Sequence, residues 1–265
     1  MDGAPLPDAL LGVARSVTGR RWEQRAADDR LALALSQRHD LPELVGRVLA
    51  ARGVTLDQAE AFLAPSLRAH LPDPSHLKDM DAAAARLARA VQEGERTAVL
   101  ADYDVDGATS AALLLRFLRA VGHDARLYVP DRLDEGYGPN PTAFQTLQAE
   151  GCRLVVTVDC GISAFAALEA AAAAGLEVVV LDHHAAEPRL PPAVAVVNPN
   201  RLDDPSPHGT LCAAGVTFLA LVALNRALRQ AGWYRPEQRP EPDLKQWLDL
   251  VALGTVADLV PLDAN

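Results

Sequence analysis

The residues best suited to chemistry are three aspartates at alternate positions, Asp102, Asp104 and Asp106, which close an apolar run. Carboxylates crowded at one point repel each other and lose hydration, so such an arrangement usually persists only where cations hold it. Two adjacent histidines, His183 and His184, follow a second apolar run and add imidazole nitrogens. Because mixed carboxylate and imidazole donors suit hard to borderline divalent ions, the pattern predicts a site for an ion such as Mn²⁺.

Two further aspartates extend this acidic set. Asp159 follows the apolar run 154–158 and precedes Gly161, which permits a tight exit from a strand. Asp258 is a lone carboxylate in the apolar stretch 254–261, and a buried solitary carboxylate needs a partner such as a metal ion. Two divalent ions bridged by a carboxylate can lower the pKa of a bound water and hold both oxygens of a phosphoryl displacement. The predicted reaction class is therefore phosphoester hydrolysis.

Weaker signals indicate contacts with the substrate. Gly107 begins a predicted helix whose free N–H groups could bind a phosphate. Arg132 opens a loop that is either a plain surface turn or places its guanidinium on a phosphate. Asn198 lies in an Asn-Pro-Asn turn that either only ends a strand or contacts the substrate. For Asp102, orientation of neighbouring groups is favoured over direct metal ligation.

A parallel sheet must position these residues. Strand and helix patterns alternate after residue 80, and the strands are continuously apolar, which is typical of a parallel sheet covered on both faces. The predicted strands are 97–102, 124–129, 153–159, 177–182 and 193–198. The predicted helices are 81–93, 107–121, a helix ending at 150, 163–174, 210–231 and 243–257. This α/β pattern of about five strands puts the acidic and histidine residues at the carboxyl ends of strands, where such folds bind ligands.

Residues 1–75 show no clear strand and are predicted to form a small helical N-terminal cap. Apolar residues at helical spacing predict a helix within 41–52, and a short helix is expected over 55–62 with Thr55 as its N-cap. The loop-like segment 65–75 predicts a boundary, with a catalytic domain over 76–265.

Composition limits the class of protein. Hydrophobic residues make up 49% of the 265 residues, without an apolar run near the roughly 20 residues of a membrane span and without a signal-peptide pattern. Three cysteines without ligand spacing fit a reducing, cytoplasmic setting. The net charge of −10 excludes a broad basic face for nucleic acid. A polyanionic substrate would therefore need metal ions, or a basic partner outside this chain.

Four short segments carry the acidic and histidine residues described above. They are Asp-Tyr-Asp-Val-Asp-Gly at 102–107, Asp-Cys-Gly-Ile at 159–162, Asp-His-His at 182–184 and Ala-Asp-Leu-Val-Pro-Leu at 257–262. In this order they resemble the four motifs of the DHH phosphoesterases. Within that superfamily the chain is most similar to the RecJ group of bacterial single-strand-specific DNA exonucleases, from about residue 41 to the end.

The resemblance implies a hydrolase that degrades single-stranded DNA from its 5′ end in repair and recombination, using two Mn²⁺ or Mg²⁺ ions. It implies that His184 contacts the scissile phosphate or assists the leaving group, that Asp159 bridges the ions and that Asp102 supports them. The partners it implies are single-stranded DNA, a single-strand-binding protein and a repair helicase, with no membrane. The implied metal ligands are Asp104, Asp106, Asp159, His183 and Asp258.

Family members continue past the fourth motif into a second domain that grips the strand, and RecJ adds an OB domain. This sequence stops at Asn265, so we expect either a catalytic-core fragment or a split polypeptide, without those domains. One alternative is a DHH hydrolase of short oligonucleotides or cyclic dinucleotides, which the helical N-terminal segment and the loop at 134–138 disfavour. The other is a non-catalytic scaffold, which the four intact motifs disfavour.

Overall fold

The computed structural model describes residues 9–23, 28–235 and 237–262. These residues divide into two compact units, one that extends to Leu71 and one that runs from Pro72 to Leu262. The sequence places the division slightly later, between residues 75 and 76, in the same proline-containing segment.

The N-terminal unit is helical. Its core consists of buried apolar side chains, among them Leu35, Leu49 and Val54. Asp28 caps the first helix by accepting hydrogen bonds from two backbone N–H groups, which leaves fewer helix-end donors unsatisfied. After a 3₁₀ turn at Leu10–Gly12, the helices are α1 (Asp29–Arg38), α2 (Glu43–Ala51), α3 (Ala59–Leu63) and α4 (Leu67–His70).

Three of these helices differ from expectation. Helix α1 is absent from the sequence prediction because its leucines, Leu31, Leu33 and Leu35, alternate rather than follow helical spacing. Helix α3 begins at Ala59 instead of 55, since the side chain and backbone N–H of Thr55 both bond Gln58 Oε1 and form a turn ahead of the helix. Helix α4 lies inside the segment expected to be a loop.

The second unit contains a five-stranded parallel sheet in the order β2-β1-β3-β4-β5. The predicted fold class, a parallel α/β sheet of about five strands, is confirmed. Every residue of β1 and β3 is buried, because these strands have neighbours on both sides and helices on both faces. The strands are β1 (Thr97–Ala101), β2 (Ala125–Tyr128), β3 (Leu154–Val158), β4 (Glu177–Leu181) and β5 (Ala195–Val197).

Helices cover both faces of this sheet. The helices are α5 (Met80–Glu93), α6 (Val105–Ala120), α7 (Pro141–Ala149), α8 (Phe165–Ala173), α9 (Ala213–Gln230) and α10 (Leu248–Ala257), the last preceded by a 3₁₀ turn at Leu244–Trp247. Buried residues of α7 and α8 pack on one face, and α5, α6 and α9 lie against the strands from the other. Helix α10 packs on α6 and α9. Across the described ranges, every helix is too short or too polar to cross a membrane.

Candidate metal centre

Four neighbouring strands end at the same level, and each is followed by a buried polar residue. The last paired residues of β1, β3, β4 and β5 are in register, so the residues after them, Asp102, Asp159, Asp182 and Asn198, form one row across the sheet. Their side chains are all buried. Buried carboxylates need hydrogen-bond donors or cations, so this row marks the centre of the site.

Helix α6 brings Asp104 and Asp106 over this row. The exposed Asp104 caps the helix by accepting a hydrogen bond from Gly107 N at 2.9 Å. This capping is why the helix begins at Val105 rather than at the predicted residue 107. The Gly107 N–H group therefore already donates a hydrogen bond within the protein, although the sequence predicted that it would bind a phosphate. A Cβ at Gly107 would lie 2.4 Å from the carbonyl oxygen of Asp102, so glycine is required for this close approach.

The carboxylate of Asp106 is held by the start of α9. Its two oxygens accept backbone N–H groups of Ala213 and Ala214, at 2.6 Å and 2.9 Å. The partial positive charge of a helix N-terminus favours this carboxylate, although burial still raises the pKa of Asp106. Gly254 of α10 allows the approach, because a Cβ there would lie 2.7 Å from Asp106 Oδ1. Sequence reasoning found neither contact.

His183 lies among three carboxylates from separate segments. Its Nε2 atom is 3.4 Å from Asp159 Oδ1, 3.7 Å from Asp106 Oδ2 and 3.7 Å from Asp258 Oδ2. His183 Nε2 and both oxygens of Asp159 are buried and have no hydrogen-bond partner among the residues that the structure describes. Burial raises the pKa of Asp159 to about 7. A shared cation would satisfy these atoms and offset the cost of burying them.

Three sets of donor atoms, each within 4.8 Å of one another, could hold a metal ion. Asp159 and His183 each belong to two of them, which is the arrangement expected when donors are shared between two ions. The donors are carboxylate oxygens and imidazole nitrogens, which fit Mn²⁺ or Mg²⁺ better than a thiolate-seeking ion. The sets are Asp159, His183 and His184; Asp106, His183 and Asp258; and Asp102, Asp104 and Asp159.

His184 is oriented by a buried carboxylate, Asp182. Its Nδ1 atom lies 2.7 Å from Asp182 Oδ1, and this hydrogen bond raises the pKa of His184 to about 9. Burial alone would raise the pKa of Asp182, but hydrogen bonds from His184 and from Ile162 N lower it. Sequence reasoning assigned no role to Asp182. Its position at the strand end, before the two histidines, was the available signal.

A strained turn aims Asp159 into the site. Asp159 has a φ of 60° and Gly161 a φ of 118°. A Cβ at Gly161 would lie 2.7 Å from Thr157 Oγ1, so the turn requires glycine for both conformation and space. Left-handed backbone at a non-glycine residue persists only where its surroundings determine it, and it is common at functional sites.

Aromatic side chains connect Arg132 to the histidines. The guanidinium of the exposed Arg132 lies 4.9 Å from the centroid of the Tyr103 ring. Tyr103 meets Tyr137 edge to face at 6.3 Å, and Tyr137 meets His184 in the same way at 6.4 Å. These rings border the metal-binding residues. The two tyrosines were not among the predicted site residues, although both lie within the segments that were singled out.

Asn198, offered as a substrate contact, is fully buried. Its Nδ2 atom donates to the carbonyl oxygen of His184 at 2.9 Å, and its Oδ1 atom accepts from Asn200 N at 2.7 Å. Because the amide group is engaged on both sides within the protein, Asn198 supports the histidine segment instead of facing a ligand.

Comparison with known proteins agrees with this geometry. Residues 96–255 match the family described as "DHH family, N-terminal domain". Two curated relatives are named single-stranded-DNA-specific exonuclease RecJ. The Salmonella typhimurium protein is 42% identical over 247 residues, which cover 93% of this chain and 41% of that protein. The Escherichia coli protein is 43% identical over 227 residues, which cover 85% of this chain and 39% of that protein.

Solved structures give the same result. The crystal structure of RecJ in complex with Mn²⁺ from Thermus thermophilus has a TM-score of 0.69 and 31% identity, covering 90% of this chain and 32% of that one. A crystal structure of exonuclease RecJ bound to manganese has a TM-score of 0.60 and 38% identity, covering 71% and 46%. The chain spans about two fifths of the length of the curated relatives it matches. On this family match and on the row of acidic and histidine residues that the fold assembles, the chain belongs to the DHH family and is similar to its RecJ members.

Proposed function

We propose that this chain is the catalytic core of a cytoplasmic, metal-dependent phosphodiesterase that hydrolyses single-stranded DNA from the 5′ end, in DNA repair and recombination. The observation that carries the proposal is the group of buried donors without hydrogen-bond partners among the described residues, Asp159 Oδ1 and Oδ2 and His183 Nε2, at the carboxyl edge of the sheet. The similarity to RecJ relatives supports single-stranded DNA as the substrate.

The chain's residues divide into ion-holding and supporting groups. Two Mn²⁺ or Mg²⁺ ions, when bound, would lower the pKa of a water molecule and neutralise charge on the phosphodiester. We assign Asp159 as the residue shared between them, because it belongs to two donor sets and both of its oxygens are buried without a hydrogen-bond partner in the described chain. We assign Asp102 a supporting role beside the ions, since it belongs to one donor set and its buried Oδ1 atom has no hydrogen-bond partner in the described chain. The residues assigned to hold the ions are Asp104, Asp106, Asp159, His183 and Asp258.

His184 is assigned to the substrate. Asp182 accepts from its Nδ1 atom, which fixes the tautomer and leaves Nε2 for the phosphate or the leaving oxygen. The Asp182 carboxylate stabilises a positive charge on His184, and the imidazolium can donate a hydrogen bond or a proton from Nε2 to an oxygen that gains negative charge.

Arg132 and the tyrosines beside it provide the approach to this centre. An exposed guanidinium suits a phosphate oxygen, and the rings of Tyr103 and Tyr137 offer stacking surfaces for bases. The net charge of −10 is unfavourable for a long polyanion, so the proposed ions would supply positive charge locally. A single-strand-binding protein and a repair helicase are the partners we propose.

The alternative is a DHH hydrolase of short oligonucleotides or cyclic dinucleotides. The observation that favours it is the net charge of −10, because a small substrate needs no extended basic groove. Substrate length therefore separates the two functions.

The test uses single-stranded DNA labelled at the 5′ end, the same strand labelled at the 3′ end and a dinucleotide, each with Mn²⁺ and with EDTA. If the proposal is right, the 5′-labelled strand should release a labelled mononucleotide at the earliest times, and only when the metal is present. The 3′-labelled strand should give a series of progressively shorter labelled products. The control is the Asp159→Asn variant, which keeps the side-chain shape but removes the charge.

Cleavage of the dinucleotide alone would favour the alternative. A wild-type protein that binds Mn²⁺ and cleaves none of the three substrates would reject both functions. Equal cleavage by the Asp159→Asn variant would remove Asp159 from the site.

A further inference from the structure

We propose that two asparagines after β5, Asn198 and Asn200, are positioning residues that hold the backbone of the two histidines. Asn200 acts through His183 on metal affinity, and Asn198 acts through His184 on the catalytic rate. This inference rests on the proposed function, since it assigns supporting residues to that site.

The contacts are with the carbonyl groups of the histidines. Asn200 Nδ2 donates to the carbonyl oxygen of His183 at 2.5 Å, and Asn198 Nδ2 donates to that of His184 at 2.9 Å. The two asparagines are also joined, because Asn200 N donates to Asn198 Oδ1 at 2.7 Å. Both histidines are thus tied to one short turn.

The sheet cannot hold these carbonyl groups by itself. Pairing between β4 and β5 ends at Leu181 and Val197, and one further hydrogen bond, from Asp182 N to the carbonyl oxygen of Val197, continues the ladder. The histidines follow beyond that point. A side-chain amide has N–H donors like those of the backbone, so the two asparagines continue the hydrogen bonding between the β5 and β4 segments beyond the last paired residues.

The turn that carries the asparagines is itself firmly attached. Arg201 N donates to the carbonyl oxygen of Asn198 at 3.2 Å. The buried guanidinium of Arg201 donates to the carbonyl oxygen of Val196 at 2.6 Å and pairs with Asp79 at 2.6 Å. Asp79 also accepts from Val196 N, so this pair ties the edge strand β5 to the residue before α5.

Asn200 has little freedom to move. Its Nδ2 atom also donates to the carbonyl oxygen of Gly209 at 3.1 Å, and a Cβ at Gly209 would lie 2.7 Å from Asn200 Oδ1. Because the amide is enclosed on this side, it can transmit the position of the turn to His183.

The expected effects of the two variants differ in kind. Asn200→Ala frees the backbone of His183 and should weaken Mn²⁺ binding by about 10-fold to 100-fold, the usual size for a group that orients a ligand. Excess Mn²⁺ should then restore much of the rate. Asn198→Ala should lower the single-turnover rate at saturating Mn²⁺ by about 10-fold to 100-fold, with a smaller effect on Mn²⁺ affinity, because Asn200 keeps its contacts with the carbonyl oxygens of His183 and Gly209.

The experiment measures Mn²⁺ affinity by calorimetric titration, single-turnover cleavage of single-stranded DNA at saturating Mn²⁺, and the unfolding temperature in EDTA. The matched control is Asn225→Ala. Asn225 is a buried asparagine on α9 whose amide bonds Glu241 and Tyr234, so its loss should lower stability without changing either site property. If Asn198→Ala does not fold, Asn198→Ser replaces it, because serine keeps a polar group in the buried space.

Separate effects, on affinity for Asn200→Ala and on rate for Asn198→Ala, would support the proposal. Effects no larger than those of Asn225→Ala, or the two effects exchanged between the variants, would overturn it. A wild-type protein that binds Mn²⁺ but cleaves no DNA would refute the proposed function instead, while the affinity comparison would still decide the role of Asn200.

Discussion

Replacing Gly254 by alanine should damage the metal site through the packing of one helix. A Cβ at this position would lie 2.7 Å from each of three atoms, Ala214 Cβ, Asp106 Oδ1 and Thr109 Oγ1. Ordinary contact begins at 3.4 Å, so α10 must move by about 0.7 Å or the three groups must give way. Asp258 N donates to the carbonyl oxygen of Gly254, so Asp258 moves with the helix.

The effect on metal binding should exceed the effect on stability. Overpacking costs about 1–3 kcal/mol, and the higher helix propensity of alanine offsets about 1 kcal/mol, so the free energy of unfolding should fall by about 0–2 kcal/mol. Metal–ligand distances tolerate only about 0.2 Å. Separation of Asp258 from Asp106 should therefore lower Mn²⁺ affinity by about 10-fold to 100-fold, the range seen when the support of a ligand is lost.

Calorimetric titration with Mn²⁺ measures the affinity, and urea unfolding in EDTA measures the stability. The control is Ala252→Leu, which adds a larger side chain at an exposed position of the same helix and should leave Mn²⁺ binding unchanged. A folded Gly254→Ala protein with wild-type Mn²⁺ affinity would refute the reasoning. It would show that α10 does not set the spacing of Asp106 and Asp258.

Three further predictions concern single residues. Asp159→Ala should abolish Mn²⁺-dependent hydrolysis while urea unfolding stays cooperative, and retained turnover at ordinary Mn²⁺ concentration would contradict its place in the site. His184→Gln should lower the single-turnover rate at saturating Mn²⁺ by about 10²–10⁴-fold, as for loss of an acid–base group, while the Mn²⁺ affinity measured by calorimetry changes little. Weakened Mn²⁺ binding at an unchanged rate would mean that the roles of His183 and His184 are exchanged. His123 forms a hydrogen bond with Thr97 Oγ1, and burial lowers the pKa of His123. The neutral His123 therefore stabilises the fold above the unfolded pKa of about 6.5, and this stabilisation is lost as pH falls through the folded pKa. In urea unfolding with EDTA, the stability advantage of the wild type over His123→Gln should shrink from pH 7.5 to pH 5, and a constant advantage would contradict this account.

The row of polar residues could be read from the sequence because its signal is local. Strands β1, β3 and β4 are short apolar runs that are each followed by an aspartate, and parallel strands bring their carboxyl ends to one edge. Asp102, Asp159 and Asp182 therefore appear as strand ends without knowledge of the partner strands. The strand predictions extend one residue too far at these points, since each aspartate begins the turn.

The supports of the row could not be read in the same way. Asp106 and the N–H groups of Ala213 and Ala214 are far apart in sequence, and no local pattern indicates that a carboxylate of one helix holds the start of another. Gly254 looks like an ordinary helix glycine until three side chains are found around it. These contacts depend on how α6, α9 and α10 pack, which is a tertiary property.

Asn198 shows a second reason for failure. An Asn-Pro-Asn turn fits both a surface contact and a buried support, because the residue types are the same in each case. Its burial follows from the turn lying beside the exit of β4, and from Arg201, whose guanidinium attaches the turn to β5. The pattern identified a significant residue but not the direction in which its side chain points.

The wide spacing of the donor residues along the chain has a consequence for synthesis on the ribosome. The set of Asp159, His183 and His184 is complete soon after β4 is made. Asp258, needed for a second set, follows only after β5, α9 and α10. Chains emerge from the amino-terminal end and a domain folds as a unit, so the donor residues made early are held in place only after the later elements have been made. The donor set that contains Asp258 is therefore complete only when α10 has docked.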